Sequence, residues 1–486
     1  MRKVIEPQMK FGETNIRAIK FDPRSRDEIP KLLRGLQYIY CTPELHDEVF
    51  AILEEIVPQD TDPNNGRPGM KLWKILVLGS LRLICNWDYD KLKEIADNHR
   101  TLRQMLGHGF DDDDKTYPIQ TLKDNISLLT PEILDRINRV VIKAGHQLLG
   151  KKKELELKGR CDSFVVETDV HFPTDISLLF DAVRKTITLT TRLCQQANIP
   201  GWRQSGYWIR QVKRLFSKVR KLKRSNAKDE RKKVKRDEKI KKAHQEYLST
   251  VENLLKRVRK DLTILRDKNI DNDDPIQEIE YYIAYVELLI DQIQRRVIFG
   301  ETIPHSEKVF SIFEPHTEWI SKGKAGVPQE LGLPVCILKD QHGFILYHRV
   351  MQHELDVDAA IPMTEAAKER FPMLTGCSYD KGFYSPSNLI DLHKIIDNVV
   401  LPKKGRLSVK DREREYSSWF IDARRQHPAV ESAINALENH GLDRCPDHGI
   451  DGFERYVGLS IVARDLQLLG NILQQKQRKR LRRLAA

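Results

Sequence analysis

Three carboxylates in this chain stand where chemistry is commonly done. Asp162 lies inside an apolar, β-rich run, CDSFVVE. Asp380 closes a short run, LTGCSYD, and is followed at once by Lys-Gly-Phe. Glu431 sits on a stretch of helical periodicity, HPAVESAINALE. An acidic residue bordered by Val and Phe in a strand is costly unless it is satisfied or used. Two aspartates on neighbouring strands and a glutamate on a packed helix can converge on one point. Oxygen ligands of that kind suit Mg²⁺ or Mn²⁺, which keep waters and share phosphate oxygens. Two such ions about 4 Å apart activate a nucleophile and stabilise the leaving oxygen of a phosphodiester. The plainer reading is that each is one of 70 acidic residues, most of them solvated or paired. Asp169 and Asp175 compete with Asp162, because they belong to the same stretch and serve equally well as turn or helix-cap residues.

The elements that would position these groups follow from periodicity. Residues 1–150 carry apolar residues at helical spacing, broken by the turn-rich TDPNNGRPGM and the polar FDDDDKTYP, and are expected to form an all-helical domain. Near residue 160 the pattern turns to β, with a Pro stop, and a helix follows for which Thr174 is the expected N-cap. Residues 201–300 read as long helices. Strands then return: LPVCILKD and FILYHRVM flank a short polar turn as a hairpin, and LTGCSYD and DNVVLPKKG are strands that alternate with helices. A helix ending at Gly441 and a last helix with a basic tail, 471–486, follow. The expected fold class is α/β: a core formed by 151–200 and 301–470, interrupted by a helical insertion.

Composition narrows the partners. The 486 residues are 40% hydrophobic, enough for a sizeable core, and 82 Lys and Arg face 70 Asp and Glu for a net charge of +12. Residues 203–242 alone hold 18 Lys and Arg against four Asp and Glu. This surplus of 14 exceeds the whole chain's, so the remainder is slightly acidic. Concentrated in one segment with Trp202, Tyr207, Trp208 and Phe216 interleaved, that surplus points to a polyanion, and binding should fall steeply with salt. The candidate phosphate contacts there are Lys213, Arg214, Lys218, Arg220, Lys221, Lys223 and Arg224. Residues 243–297 place Leu254, Leu255, Val258, Leu262 and Leu265 at coiled-coil-like spacing, so a helical hairpin or a dimer seam is expected. Seven widely spaced cysteines without a CxxC pair read as reduced thiols in a cytosolic protein. No signal peptide and no membrane span is expected.

Four stretches resemble bacterial insertion-sequence transposases of the DDE type: GRPGMKLWKILVLGSLRLICNWDYDKLKEIADNHRTLRQMLG; CDSFVVETDVHFPTDISLLFDAVR; SYDKGFYSPSNL; and HPAVESAINALENHGLDRCPDHGIDGFERYVGLSIVARDLQLLG. Together they cover much of 65–190 and 310–470, in the family's order. The resemblance implies an RNase H-like catalytic core, a mixed sheet flanked by helices. It also implies a helical DNA-binding domain at 1–150, a triad of Asp162, Asp380 and Glu431, and two Mg²⁺ or Mn²⁺ ions per site. The expected activity is cleavage and strand transfer on double-stranded DNA, by a homodimer or higher oligomer in the bacterial cytoplasm, associated with the nucleoid. Departures are Ser163-Phe164 where Thr-Thr or Gly-Thr is usual, and Asp169 and Asp465 where Asn is usual. The Asp169 departure leaves Asp169 open as a rival first ligand. Glu438 occupies a position where a Lys or Arg is common, so Arg444 takes that basic role. Lys322 and Lys324 resemble a Lys-Gly-Lys phosphate contact, and Trp319 is read as a base-stacking or a packing residue. The alternatives are a DNA-binding relic without catalysis and a stand-alone nuclease.

Overall fold

The computed structural model describes residues 3–5, 8–9, 11–57, 69–109, 112, 114–150, 156–225, 229–267, 274–321 and 329–485. Lys322 and Lys324 lie outside the described residues. Two compact units divide the chain, one formed by Met1–Asp169 with Ile320–Ala486, the other by Val170–Trp319.

The first unit opens with seven helices: α1 (Glu28–Cys41), α2 (Pro43–Glu54), α3 (Leu72–Ile84), α4 (Tyr89–Asn98), α5 (Arg100–Met105), α6 (Ile119–Ile126) and α7 (Pro131–Leu149). Their starts are chemically marked. Asp27, Asp88 and Thr130 each accept a backbone N–H of the first turn of α1, α4 and α7, and α2 and α7 begin with Pro. Nearly all of α3 is buried, in keeping with its almost unbroken apolar sequence.

β1 (Leu157–Thr168) follows and becomes the central strand of a mixed sheet. It runs antiparallel to β3 (Gln329–Lys339), which pairs in a hairpin with β4 (Ile345–Val350). On its other side β1 is parallel to β5 (Leu374–Tyr379), and β5 is parallel to β6 (Asn398–Val400). The short β2 (Glu318–Ser321) and β7 (Arg444–Cys445) complete seven strands. In the hairpin turn, the Asp340 side chain accepts the N–H groups of His342 and Phe344, and Gly343 takes a left-handed φ of 100°.

Helices α12 (Asp356–Arg370), α13 (Pro386–Ile395), α14 (Val409–Glu415), α15 (Ser418–Gln426) and α16 (Ala429–Leu437) flank the strands. Past α16 the chain leaves through Gly441, whose φ of 96° is left-handed. The last helix, α17 (Ile450–Ala485), packs on α1, α3 and α7, so what reads as a basic tail continues a helix. It crosses α1 at glycines: a Cβ on Gly470 would meet the carbonyl oxygen of Lys31 at 1.8 Å, and one on Gly35 that of Leu466 at 2.3 Å. Asp465 of α17 is fully buried, and its carboxylate oxygens accept the N–H of Ile345 at 3.2 and 3.1 Å. Burial pushes its pKa well up, against the Ile345 N–H that it accepts and the charge of Arg464.

The second unit is all-helical apart from its junction with β2. It comprises α8 (Asp175–Gln196), α9 (Ser205–Arg224), α10 (Glu230–Asp267) and α11 (Asp274–Ile293). Thr174 caps α8 through a reciprocal box with Ser177. Leu254, Leu255, Val258, Leu262 and Leu265 are all buried in this unit's own core, together with Ile279, Val286 and Ile293 of α11. The coiled-coil-like stripe is therefore covered within the chain. Trp319 packs edge-on against Phe172 and tilted against Phe310, with ring centroids 5.5 and 5.7 Å away. All seven cysteines are free thiols, and no described helix is long and apolar enough to cross a membrane.

Candidate active site

The register between β1 and β5 sets the site. Cys161 is paired with Tyr379, and both are buried on one face of the sheet. Opposed residues of parallel strands point the same way and successive residues alternate, so Asp162 and Asp380, one step on, share the other face. The strands lie about 4.8 Å apart. Asp380 leaves β5 directly into a short helical turn over Lys381–Phe383.

Glu431 arrives on α16, which packs on β1 and buries Val430, Ala433, Ile434 and Leu437. Its helix start is fixed from the sheet: Lys339, at the end of β3, donates to the carbonyl of Ala429 at 2.9 Å. His427, just before α16, is hydrogen-bonded through Nδ1 to the Ser378 hydroxyl of β5 at 3.0 Å. Burial lowers the His427 pKa, opposed by the negative charges of Asp380 and Glu431.

A fourth carboxylate belongs to this cluster, and the sequence alone did not single it out. Asp356, in the first turn of α12, accepts the Ser163 hydroxyl at 2.5 Å, while the Ser163 N–H donates to Asp162 at 2.8 Å. Ser163 therefore bridges the two acids. Gly382 makes room for this arrangement, since a Cβ there would sit 2.7 Å from Asp356 Oδ2. The signal available in the sequence is weak: Asp-Val-Asp at a helix start is also ordinary capping chemistry.

Electrostatics ties the four groups together. Burial, then the charges of Asp380, Asp356 and Glu431, push the Asp162 pKa up to about 7, against the Ser163 N–H. Asp356 is raised by burial and by Asp380, against its bond from Ser163. None of the four carboxylates has an ion-pair partner among the described residues. Neither do three His, Cys, Asp or Glu side chains among those residues close on one point as a ready-made metal cage. Two half-buried carboxylates, Asp162 and Asp356, beside two exposed ones, Asp380 and Glu431, with no countercharge among the described residues, nevertheless suit a hard divalent cation that retains waters.

The other expected residues fall elsewhere. Asp169 lies just beyond β1, about 23 Å of extended strand from Asp162, and is exposed. Arg444 pairs with Glu167 at 3.0 Å and Asp169 at 3.7 Å, and Arg444 and Asp169 line a separate cavity of about 850 Å³ beside Arg82 and Tyr456. Asp175 is paired with Arg296 in the other unit. On α9, Val212, Leu215 and Val219 are buried, while Lys213, Arg214, Lys218, Arg220, Lys221, Lys223 and Arg224 are exposed. Lys218 pairs with Glu246 at 2.6 Å. The other six have no carboxylate partner among the described residues.

No family model, curated protein or solved structure matches the chain.

Proposed function

We propose that the chain is a DNA transposase of the DDE type, with Asp162, Asp380 and Glu431 as its catalytic carboxylates. The observation that carries this reading is the register of β1 and β5. It sets two aspartates side by side on one face, with the helix of Glu431 packed on the same strand and no described cation to neutralise them. A sheet whose central strand has an antiparallel neighbour on one side and a parallel one on the other supports an RNase H-like core. The exposed cationic side of α9 supports contact with the phosphates of double-stranded DNA.

Two Mg²⁺ or Mn²⁺ ions, when bound, activate the attacking oxygen and stabilise the leaving one. The residues' own part is placement. Asp162 is oriented by the Ser163 N–H, Asp380 by the tight turn at Lys381–Phe383, and Glu431 by Lys339 through Ala429. Hydrolysis frees a 3′-OH, and the same site then directs that 3′-OH at target DNA. Both steps are in-line phosphoryl transfers, so no covalent enzyme–DNA intermediate is needed.

The test is Asp162→Ala in the full chain. Mg²⁺-dependent nicking of its element's end DNA should vanish while end binding stays within about twofold. Nicking that survives the substitution removes the assignment. A wild-type chain that binds ends without ever nicking them is a relic. One that nicks but fails to join a precleaved 3′-OH end to target DNA is a nuclease.

A further inference from the structure

A cleft of about 350 Å³ opens between α15 and the sheet face formed by β1, β5 and β6. Its floor is set by register: Lys158 is opposed to Gly376 and Arg160 to Ser378, and Gly376 and Ser378 are opposed in turn to Asn398 and Val400. These positions alternate in step with Asp162 and Asp380, so cleft and carboxylates share one face of the sheet. Arg160 and Ser378 lie two residues, about 6.6 Å, before the acid pair. That interval is comparable to the spacing of successive phosphates along a DNA strand.

The cleft is built for an anion attached to a flat ring. Arg160 is only 8% exposed, yet its guanidinium donates to two neutral acceptors, the Asp340 carbonyl at 3.3 Å and Gln426 Oε1 at 3.2 Å. The Asp340 carboxylate is turned to His146 at 2.6 Å and to the N–H groups of its own turn. No carboxylate is ion-paired with Arg160 among the described residues; burial opposes its charge, and the charge of Asp340, turned to His146, supports it only from a distance. The acids in the cleft wall, Glu156 and Asp422, are both exposed at its edge, and Asp422 is within 3.7 Å of Arg425. Trp419 lines the cleft from α15 and is 45% exposed, and Asn398, beside the glycine floor, is exposed as well. An aromatic face and an amide are the groups that stack and read a nucleobase.

We propose that this cleft binds one deoxynucleotide of the strand held at the acid site, the residue next to the reactive phosphate. Arg160 meets its phosphate, and Trp419 and Asn398 take its base. The proposal deepens the transposase reading and rests on it for the choice of a DNA strand over a free nucleotide.

The experiment is photo-crosslinking of the full chain, with Ca²⁺ in place of Mg²⁺, to short single-stranded oligonucleotides carrying 5-iododeoxyuridine at successive positions. Adducts are mapped by mass spectrometry. The adduct is expected at Trp419. Trp419→Ala and Asn398→Ala, both at exposed positions where folding is undisturbed, should remove it and weaken oligonucleotide binding, about tenfold for the tryptophan. Adducts mapping only outside the cleft, or binding unchanged in Trp419→Ala, overturn the proposal. So does thymidine monophosphate displacing the oligonucleotide at equal concentration, which would make the cleft a mononucleotide site. Parallel Mg²⁺ assays separate the two claims. An adduct at Trp419 without any cleavage removes the catalytic reading and leaves the cleft. Cleavage with adducts elsewhere does the reverse.

Discussion

The two units handle concentrated charge in opposite ways. In the first, Asp162, Asp356, Asp380 and Glu431 gather at one edge of a sheet, two of them half-buried and two exposed, and no described cation pairs with them. In the second, α9 lays its cations along water, above a stripe of Val212, Leu215 and Val219 that does the packing. Exposed like charges are screened within about 8–10 Å at ordinary salt and cost the fold little. Partly buried like charges are screened less, so they shift one another's protonation and weaken the fold. The acidic edge therefore costs the fold stability, whereas the exposed cations of α9 cost it almost none.

The strongest way to break this comparison is Asp380→Ala. Loss of a carboxylate from the acid edge should lower Mg²⁺-dependent strand cleavage by roughly 10³-fold or more, corresponding to several kcal/mol of lost charge stabilisation. Gel assays of end-DNA nicking read this directly.

Neutralising three α9 cations together, Arg214, Lys221 and Arg224 to Gln, should weaken DNA binding about 10- to 100-fold at low salt. Up to about 2.7 units should be lost from the slope of log K against log salt, at about 0.9 per phosphate contact. Melting temperature should barely move. A large drop in melting temperature with an unchanged slope would mean that these cations serve the fold.

Asp162→Asn should do the opposite of a damaging mutation in metal-free buffer. The folded pKa of Asp162 is raised to about 7, above the ordinary carboxylate value. Its neutral form is therefore favoured in the fold, and stability is lost as pH rises from the unfolded value through the folded one. The Asn variant should be more stable than wild type by about 1–3 kcal/mol at pH 8. The gain should shrink to nothing below about pH 4. Denaturant titrations at the two pH values check it. A gain independent of pH would exclude the charge as its cause.

Asp465→Asn is the smallest effect and sharpens the contrast. That side chain is buried completely and burial pushes its pKa up, so an uncharged amide of the same shape should be tolerated and should stabilise by about 1–2 kcal/mol at neutral pH. Thermal melts of wild type and variant at pH 7 read the difference.

Much of the architecture was legible because each piece follows a local rule. Val and Phe around Asp162, the glycine after Asp380 and the helical spacing after Pro428 announce strand, turn and helix without reference to anything distant. The Thr174 cap of α8 is of the same local kind, and so is the hairpin turn made by Asp340 and Gly343. What was hidden depends on pairing. Asp356 enters the site only because α12 starts beside the β1–β5 edge and Ser163 reaches across to it. Asp169 was a fair rival by composition, but one continuous strand carries it away from Asp380 and leaves it near Arg444. The leucines of α10 announce a covered stripe, and periodicity cannot say that helices of the same chain cover it.

The crossing of α1 and α17 carries a consequence in time. Gly35 and Gly470 meet backbone to backbone, so part of the surface that α1 buries is supplied by a segment more than 400 residues downstream. At about 5–20 residues per second, a growing chain waits roughly 20–90 s between making one side of that crossing and the other. Throughout that interval the face of α1 around Lys31 and Gly35, which α17 meets at Leu466 and Gly470, lacks its final cover. α1 is thus sealed only after more than 400 further residues have been made.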